Sequence, residues 1–146
     1  MRKLNFTYIL FIFYLFSCSS QNKEFSDDEM TAILDVAINN KQLNGSLSRL
    51  YLNQPLRLVR GSNLEKDYPL FKNGKSVIYV DVDSSSSELA NWRKPKFYGN
   101  IKSFKIISDK KVEISLVFRD TGVWAVMEII KIDEKWMISS FDNHTI

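Results

Sequence analysis

The distribution of apolar and polar residues separates the chain into a short apolar run near its start, a stripe with helical spacing and a series of alternating runs. Four apolar-rich runs occupy the last third of the sequence, at 101–107, 112–118, 123–132 and 136–141. Short polar segments separate them, which predicts an antiparallel meander with one buried face. The run 123–132 is apolar on both faces, so we expect a central strand with Trp124 in the core.

The helical stripe begins near residue 26, where Ser26 and Glu29 have the spacing of a capping box. Its apolar residues recur at intervals of three and four: Met30, Ile33, Leu34, Ala37 and Ile38. This spacing predicts one amphipathic helix. The helix is expected to end before Asn44-Gly45, because glycine readily adopts the left-handed conformation that follows a helix.

Shorter segments lie between this helix and the meander. Residues 47–52 predict a second short helix, and 56–59 and 77–82 predict short strands. Between the two strands, 61–75 is expected to be a loop closed by a turn at Asn73-Gly74. Helices that precede a meander indicate the α+β class, here an N-terminal helix and a second short helix packed on a curved antiparallel sheet. The predicted domain covers residues 26–146, and its sheet ends in a four-strand meander.

The apolar run near the start has the features of a secretory signal sequence. Arg2 and Lys3 precede it, and between residues 4 and 16 it is polar only at Asn5 and Thr7. A helix needs about 20 apolar residues to span a bilayer, so this run is too short for a permanent anchor. We therefore expect residues 1–17 to be a signal peptide, with an uncleaved membrane helix as the alternative.

The end of this run, Leu15-Phe16-Ser17-Cys18, resembles the lipobox of bacterial lipoproteins, although Phe16 departs from the commonest pattern. The resemblance implies cleavage between Ser17 and Cys18 and acylation of Cys18, for example with palmitate. Residues 18–25 would then form a short lipidated tether that ends at the domain. A free thiol in an ordinary secretory leader is the alternative.

The same resemblance implies a location in the bacterial cell envelope, with the membrane as a partner through the lipid anchor. Ser19 follows the cysteine, and in that family such a residue favours the outer membrane over the inner one. The domain would then lie in the periplasm or at the cell surface.

Composition excludes several classes of function. The formal net charge is +3, and the leader residues Arg2 and Lys3 supply two of these charges, so we expect no nucleic acid partner. A single cysteine excludes an internal disulfide framework and a four-cysteine zinc site. A single histidine excludes metal motifs built on a histidine pair. No cofactor is expected.

Candidate metal ligands follow the strand predicted at 77–82. Asp81, Asp83 and Ser85 lie at alternate positions and could offer oxygen ligands to Mg²⁺ or Ca²⁺. The position that is glycine in a calcium loop is Ser86, however, which favours a hydrated loop over a metal site.

Cations and aromatic residues alternate a few residues later. Trp92, Arg93, Lys94, Lys96 and Tyr98 form a candidate binding patch for anionic lipid headgroups or glycans. The alternative is a loop whose rings pack on the sheet edge while its cations stay hydrated.

Glu128 is the candidate for catalysis. It lies in mid-strand on the same side as Trp124, Val126 and Ile130, and a carboxyl group in an apolar pocket can act as a general acid or base. Tyr79 and Asp81, which alternate on one face of another strand, could join it there. The alternative is that Glu128 meets a lysine or the solvent.

A helix followed by a meander whose last strand begins Lys135-Trp136-Met137-Ile138 resembles the nuclear-transport-factor-like and cystatin-like folds over residues 26–141. Functions vary widely within such folds, so the resemblance implies an architecture only. We expect a lipid-anchored envelope protein with a non-catalytic binding or accessory role toward an envelope protein or a small ligand. A small cone-fold enzyme that uses Glu128 and an immunity or inhibitor lipoprotein are the alternatives.

Overall fold

A computed structural model describes residues 24–81 and 96–146. The helices of this part are α1 (Asp27–Ile38), α2 (Lys41–Ser46) and α3 (Arg49–Leu52). The strands are β1 (Arg57–Val59), β2 (Phe71–Lys72), β3 (Lys75–Ser76), β4 (Ile78–Val80), β5 (Tyr98–Ser108), β6 (Lys111–Phe118), β7 (Val123–Ile132) and β8 (Lys135–Thr145). A short 3₁₀ helix, Arg119–Thr121, connects β6 to β7. The α+β class is thus confirmed.

The start of α1 follows the predicted capping box. The Ser26 hydroxyl accepts a hydrogen bond from the Glu29 backbone N–H at 3.2 Å, and the Glu29 carboxylate accepts one from the Ser26 N–H at 3.3 Å. Together they satisfy two N–H groups that have no partner within the helix. The acidic first turn also faces the positive end of the helix dipole.

The helix ends at Ile38, earlier than predicted, and two asparagines explain the break. The Asn39 side chain donates to the Phe71 carbonyl at 2.9 Å and so holds the chain against the β2–β3 hairpin. The Asn40 side chain accepts from the Leu43 N–H at 2.9 Å and caps the new helix α2. The prediction relied on Gly45 as the end signal, and the contact of Asn39 with Phe71, which accompanies the earlier end, is not visible in the local sequence.

Six strands form one mixed sheet in the order β4-β1-β5-β6-β7-β8, and β2 and β3 form a separate hairpin. The predicted meander is confirmed, since each strand from β5 to β8 pairs antiparallel with the next. The expectation of an antiparallel sheet is wrong at the other end, where β1 pairs parallel with both β4 and β5. β1 and β4 are each three residues long. The alternating pattern of so short a segment does not indicate whether the strand pairs parallel or antiparallel with its neighbours.

The core lies between the helices and one face of the sheet, called here the inner face. The inner residues of β6 and β7 are buried: Val112, Ile114, Leu116, Phe118, Val123, Ala125, Met127 and Ile129. The stripe of α1 meets them with Ile33, Leu34, Ala37 and Ile38, all fully buried. The apolar stripe predicted for α1 and the alternating apolar residues predicted for β6 and β7 therefore form the two sides of one core.

Trp124 lies on the opposite, outer face, which corrects its expected place in the core. Its side chain is 39% exposed, and the indole N–H donates to the Ser115 hydroxyl at 2.6 Å. Because β7 is apolar on both faces, the alternation alone could not show that Val123 and Ala125 are the buried neighbours.

The core is tightly packed where β5 passes β1. A side chain at Gly99 would place its Cβ 3.0 Å from Phe118 Cε1 and 3.2 Å from Leu58 Cδ2, closer than carbon atoms normally approach. The Phe118 ring stacks on Phe97 with centroids 5.6 Å apart. The absence of a side chain at Gly99 therefore makes room for this aromatic pair.

The β2–β3 hairpin turns at Asn73 and Gly74, both with positive φ, as the sequence predicted. Lys72 in this hairpin is fully buried, and its ammonium group donates to the Ile38 carbonyl and to the Asn44 side-chain oxygen. These bonds attach the hairpin to the end of α1. Burial lowers the pKa of Lys72 to about 8.

Among the described helices, none is long and apolar enough to cross a membrane.

Candidate functional site

A groove of about 330 Å³ opens beside the first turn of α1, between that turn, the loop after β1 and the middle of β5. We call it the amino-end groove. Its apolar lining consists of Phe25, Met30, Leu64, Tyr68, Phe104 and Ile106. Its polar lining consists of Glu24, Asp27, Ser62, Asn63, Glu65 and Lys66.

The loop wall of the groove is fixed by its own backbone and by one asparagine. Gly61 and Leu64 exchange two backbone hydrogen bonds, of 3.2 and 2.8 Å, which close a tight turn. Leu64 is buried in the core and anchors this turn. Asn63 donates to the Lys102 carbonyl at 3.0 Å and lies 3.3 Å from the Ile101 carbonyl, where the β5–β6 register shifts.

Side-chain contacts of Tyr79 and Arg60 hold the end of the loop near Tyr68. The Tyr79 hydroxyl accepts from the Tyr68 N–H at 3.0 Å and donates to the Tyr68 carbonyl at 2.8 Å. Arg60 binds both oxygens of Asp67, at 2.8 and 2.7 Å, and lies over the Tyr79 ring. The hydrogen bond from Arg60 holds the pKa of Asp67 below its usual value. Tyr68 is thus presented to the groove by a fixed backbone.

The helix wall is fixed by contacts of Phe25 and Glu29. The Phe25 ring meets Trp136 edge-on, with centroids 5.4 Å apart. Glu29 lies 3.2 Å from the Lys131 ammonium, whose hydrogen bond is the main cause of the lowered pKa of Glu29. Phe25 therefore packs on the sheet, and it forms part of the groove with Met30.

An ion pair crosses the rim of the groove. Lys66 lies 2.9 Å from an oxygen of Asp27, and this hydrogen bond raises the pKa of Lys66. Both side chains are exposed, so the pair contributes little to stability. Of the charged lining residues that the structure describes, Glu24, Asp27 and Glu65 are acidic and only Lys66 is basic, so together they carry a net negative charge.

An apolar floor with a negative rim is suited to binding. It can bury an apolar group while its carboxylates attract a cation. Among the described residues, Ser62 is the only serine or threonine of the lining, and no histidine accompanies it there. This part of the lining therefore offers contacts and charge, but no pair of groups suited to nucleophilic catalysis.

The Glu128 side chain is partly exposed and, among the described residues, is paired with a lysine rather than enclosed by apolar groups. It lies on the outer face of β7, 38% exposed, with its carboxylate 3.0 Å from the Lys111 ammonium. The ion pair that the sequence left as the alternative is thus what forms. Tyr79 does not approach it, because three strands lie between β4 and β7 and Tyr79 packs against the inner core.

Asp81 forms an ion pair with Arg60 at 2.9 Å, and its side chain is mostly exposed. Asp83 and Ser85, the other candidate metal ligands, lie outside the described residues. Within 24–81 and 96–146, no three His, Cys, Asp or Glu side chains are grouped as metal ligands would be.

The candidate binding patch is divided by burial. Tyr98 is 5% exposed and clusters with Val59 and Val80 on the outer face, so it is not available to a ligand. Lys96 is exposed at the start of this segment. Trp92, Arg93 and Lys94 lie outside the described residues, as do Cys18 and Ser17, the residues of the predicted lipidation and cleavage.

A serine, a histidine and an aspartate also share the outer face, but they do not form a catalytic triad. His144 lies 3.2 Å from Asp142 on β8, whereas Ser115 is on β6 with β7 between the two strands. Adjacent strands are about 4.8 Å apart, so about 10 Å separates the serine from the histidine strand. Ser115 instead accepts the hydrogen bond of Trp124.

The sequence did not reveal the amino-end groove, because its walls come from three distant segments. The glycine at 61 and the two apolar residues Phe25 and Met30, on either side of the capping box, were the available signals, and neither points to a groove. Comparison with known proteins adds no assignment: no family model, curated protein or solved structure matches the chain.

Proposed function

We propose that this protein is a lipid-anchored binding protein of a bacterial envelope, attached through Cys18, whose amino-end groove takes a small ligand with an apolar part and a cationic group. The observation that carries the ligand class is the pairing of an apolar floor with the acidic rim of Glu24, Asp27 and Glu65. The leader residues 1–18 support the anchor, as their resemblance to a lipobox implies.

The position of the groove supports combining the two parts of this proposal. Residues 19–25 are the polar segment between the proposed anchor and α1, and Glu24 and Phe25 line the groove. Seven extended residues reach at most about 23 Å, so a lipid on Cys18 keeps the groove near the membrane surface. One acyl chain alone binds reversibly, whereas two or more hold a protein firmly.

The resemblance to nuclear-transport-factor-like and cystatin-like folds also remains a proposal. The packing of α1 against β7 and β8 supports a helix laid on a meander. The parallel pairing of β1 with β4 and β5 is a feature that the resemblance did not lead us to expect.

The anchor is tested by labelling cells that express the full chain with an alkyne-bearing fatty acid. The wild-type chain is expected to carry the label and to remain in the membrane fraction. Cys18→Ala is expected to lose the label, and the chain should then either be released or remain as an unprocessed precursor. An unlabelled wild-type chain that is retained normally in the membrane would count against the lipid anchor.

The ligand class is tested with the full chain in lipid nanodiscs, using phenethylammonium as the probe and nuclear magnetic resonance to measure binding. Phenethyl alcohol and phenylacetate carry the same ring and serve as neutral and anionic controls. We expect the ammonium probe to bind at least about threefold more tightly than the alcohol, and phenylacetate to bind least.

Variants then distinguish the contribution of the apolar floor to binding from that of the acidic rim. Phe104→Ala should weaken both the ammonium probe and the alcohol, because it removes a floor contact. Glu65→Gln should weaken the ammonium probe alone. Glu113→Gln, on β6 and outside the groove lining, is the matched control and should change neither. Equal affinity for all three probes, or insensitivity to Phe104→Ala, would show that the groove is not the site.

A further inference from the structure

The last strand, β8, has an open edge. It is 11 residues long and pairs only with β7, and in the described part of the chain no strand lies on its other side. The backbone N–H and C=O groups along such an edge can pair with another chain. At the opposite edge of the sheet, β4 has only three residues, so β8 is the longer template for pairing.

A groove runs beside this edge, and we call it the edge groove. It is lined by Val36, Asn40, Lys41, Gln42, Trp136, Met137 and Ile138. Met137 is 47% exposed, whereas Trp136 is 8% exposed. The Trp136 indole N–H is buried and has no hydrogen-bond partner among the described residues. The groove lies between the α1–α2 corner and residues 136–138 of β8.

We propose that β8 pairs antiparallel with β8 of a second copy of this chain, in a register that places Lys135 opposite the partner subunit's Asp142. Two-fold symmetry repeats the pair, so Asp142 also faces the partner subunit's Lys135. Opposite charges directly across an antiparallel pair attract, and like charges repel. Lys135 and Asp142 are both exposed and seven residues apart, so they are too distant to pair within one strand.

The same register matches the two faces of the strand. Trp136 lies opposite the partner subunit's Phe141, and both belong to the inner face against the core. Met137 lies opposite the partner subunit's Ser140, and both belong to the outer face. Ser139 is the extra residue of a bulge in the β7–β8 pairing. Because of this extra residue, the side chains that follow it in β8 alternate between the inner and outer faces in the order that this register requires.

Charge also selects this arrangement over a parallel one. In a parallel in-register pair, Lys135 would lie beside the partner subunit's Lys135, and Asp142 beside the partner subunit's Asp142. The Asp142 carboxylate also lies 3.2 Å from His144 within its own strand, and it remains exposed enough to meet a second cation. The interface is isologous, so it closes at two copies.

The proposal is tested first by cysteine cross-linking of the full chain in membranes. Lys135→Cys combined with Asp142→Cys should give a covalent dimer on a non-reducing gel under mild oxidation. Lys110→Cys combined with Asp142→Cys is the matched control, because Lys110 is in the β5–β6 turn, and it should stay monomeric. Cys18 is present in every variant, so its own chemistry is the same in all of them.

A charge exchange tests the register in the detergent-solubilised full chain by sedimentation velocity at low salt. The wild type should be dimeric, and Lys135→Glu or Asp142→Lys alone should weaken association by about tenfold or more, since each creates two like-charge pairs. The double variant should restore it. These sites are exposed, so circular dichroism should show an unchanged fold. A monomeric wild type, equal cross-linking in the control pair, or no rescue in the double variant would overturn the proposal.

Discussion

The meander and the amino-terminal half of the domain are held together in different ways. From Lys111 to Phe118, β6 pairs with β7 residue by residue without a register shift, so backbone hydrogen bonds fix the neighbours. In the amino-terminal half, single side chains make the joints, such as Asn39 to Phe71 and Tyr79 to Tyr68. In a pair of strands the stabilisation is spread over many backbone hydrogen bonds, whereas each of these side-chain contacts depends on a single group. The two regions should therefore respond differently to substitution.

The largest expected effect is in the core of the meander. Phe118→Ala removes a fully buried ring that stacks on Phe97, and should lower the free energy of unfolding by about 3–5 kcal/mol. Trp124→Ala, on the outer face of the neighbouring strand, should lower it by only about 1–2 kcal/mol, mainly through the lost bond to Ser115. Urea unfolding followed by circular dichroism measures both. Equal losses would mean that the two faces of the meander are equally important for packing.

An intermediate effect, dependent on pH, is expected at the hairpin joint. Because burial lowers the pKa of Lys72 to about 8 from 10.5, the unfolded chain holds more protons than the folded chain between these values. The free energy of unfolding should therefore rise with pH, by about 1–2 kcal/mol between pH 8 and 9.5, as the folded protein releases the buried proton. Below pH 8 this contribution is flat, because both states keep the proton.

Lys72→Met should remove this rise, and thermal unfolding measured at several pH values would show it. Lys75→Met, an exposed position in the same hairpin, is the matched control and should keep the rise. The same slope in wild type and Lys72→Met would show that other groups cause the pH dependence.

The smallest effect is expected at the start of α1. Ser26→Ala removes the capping hydroxyl and should lower the free energy of unfolding by about 1 kcal/mol. Hydrogen exchange should increase in the first turn of α1 and leave the β6–β7 ladder unchanged. If exchange increased equally in the ladder, the two regions would unfold as one unit and the comparison would fail.

The sequence predicted the strands of the meander well, and it predicted the connections of the amino-terminal half less completely. The four runs of the meander predicted β5 to β8 because each is long enough to show its period, and polar turns separate them. The stripe predicted the buried face of α1. The break at Asn39 and Asn40 and the parallel pairing of β1 depend on contacts with distant residues, which local spacing does not contain.

Candidate site residues were harder to predict than the fold. Residue type suggested Glu128, but whether a carboxylate meets a pocket or a lysine depends on the neighbouring strand, and here that strand places Lys111 beside it. Tyr98 was chosen for its aromatic ring, yet it is buried against Val59. The amino-end groove depends on the Gly61 turn and on Asn63 reaching β5, contacts that form only after the chain has folded.

The close approach at Gly99 has a consequence for the variation that this chain can accept. Its backbone does not require glycine, since its φ is not among the positive values, but Phe118 and Leu58 would have to shift by a few tenths of an ångström to admit a methyl group. Alanine at 99 should thus be tolerated better together with a smaller residue at 118. Among related sequences, the two positions are expected to change as a pair, so that their joint substitution would report this contact without any structure.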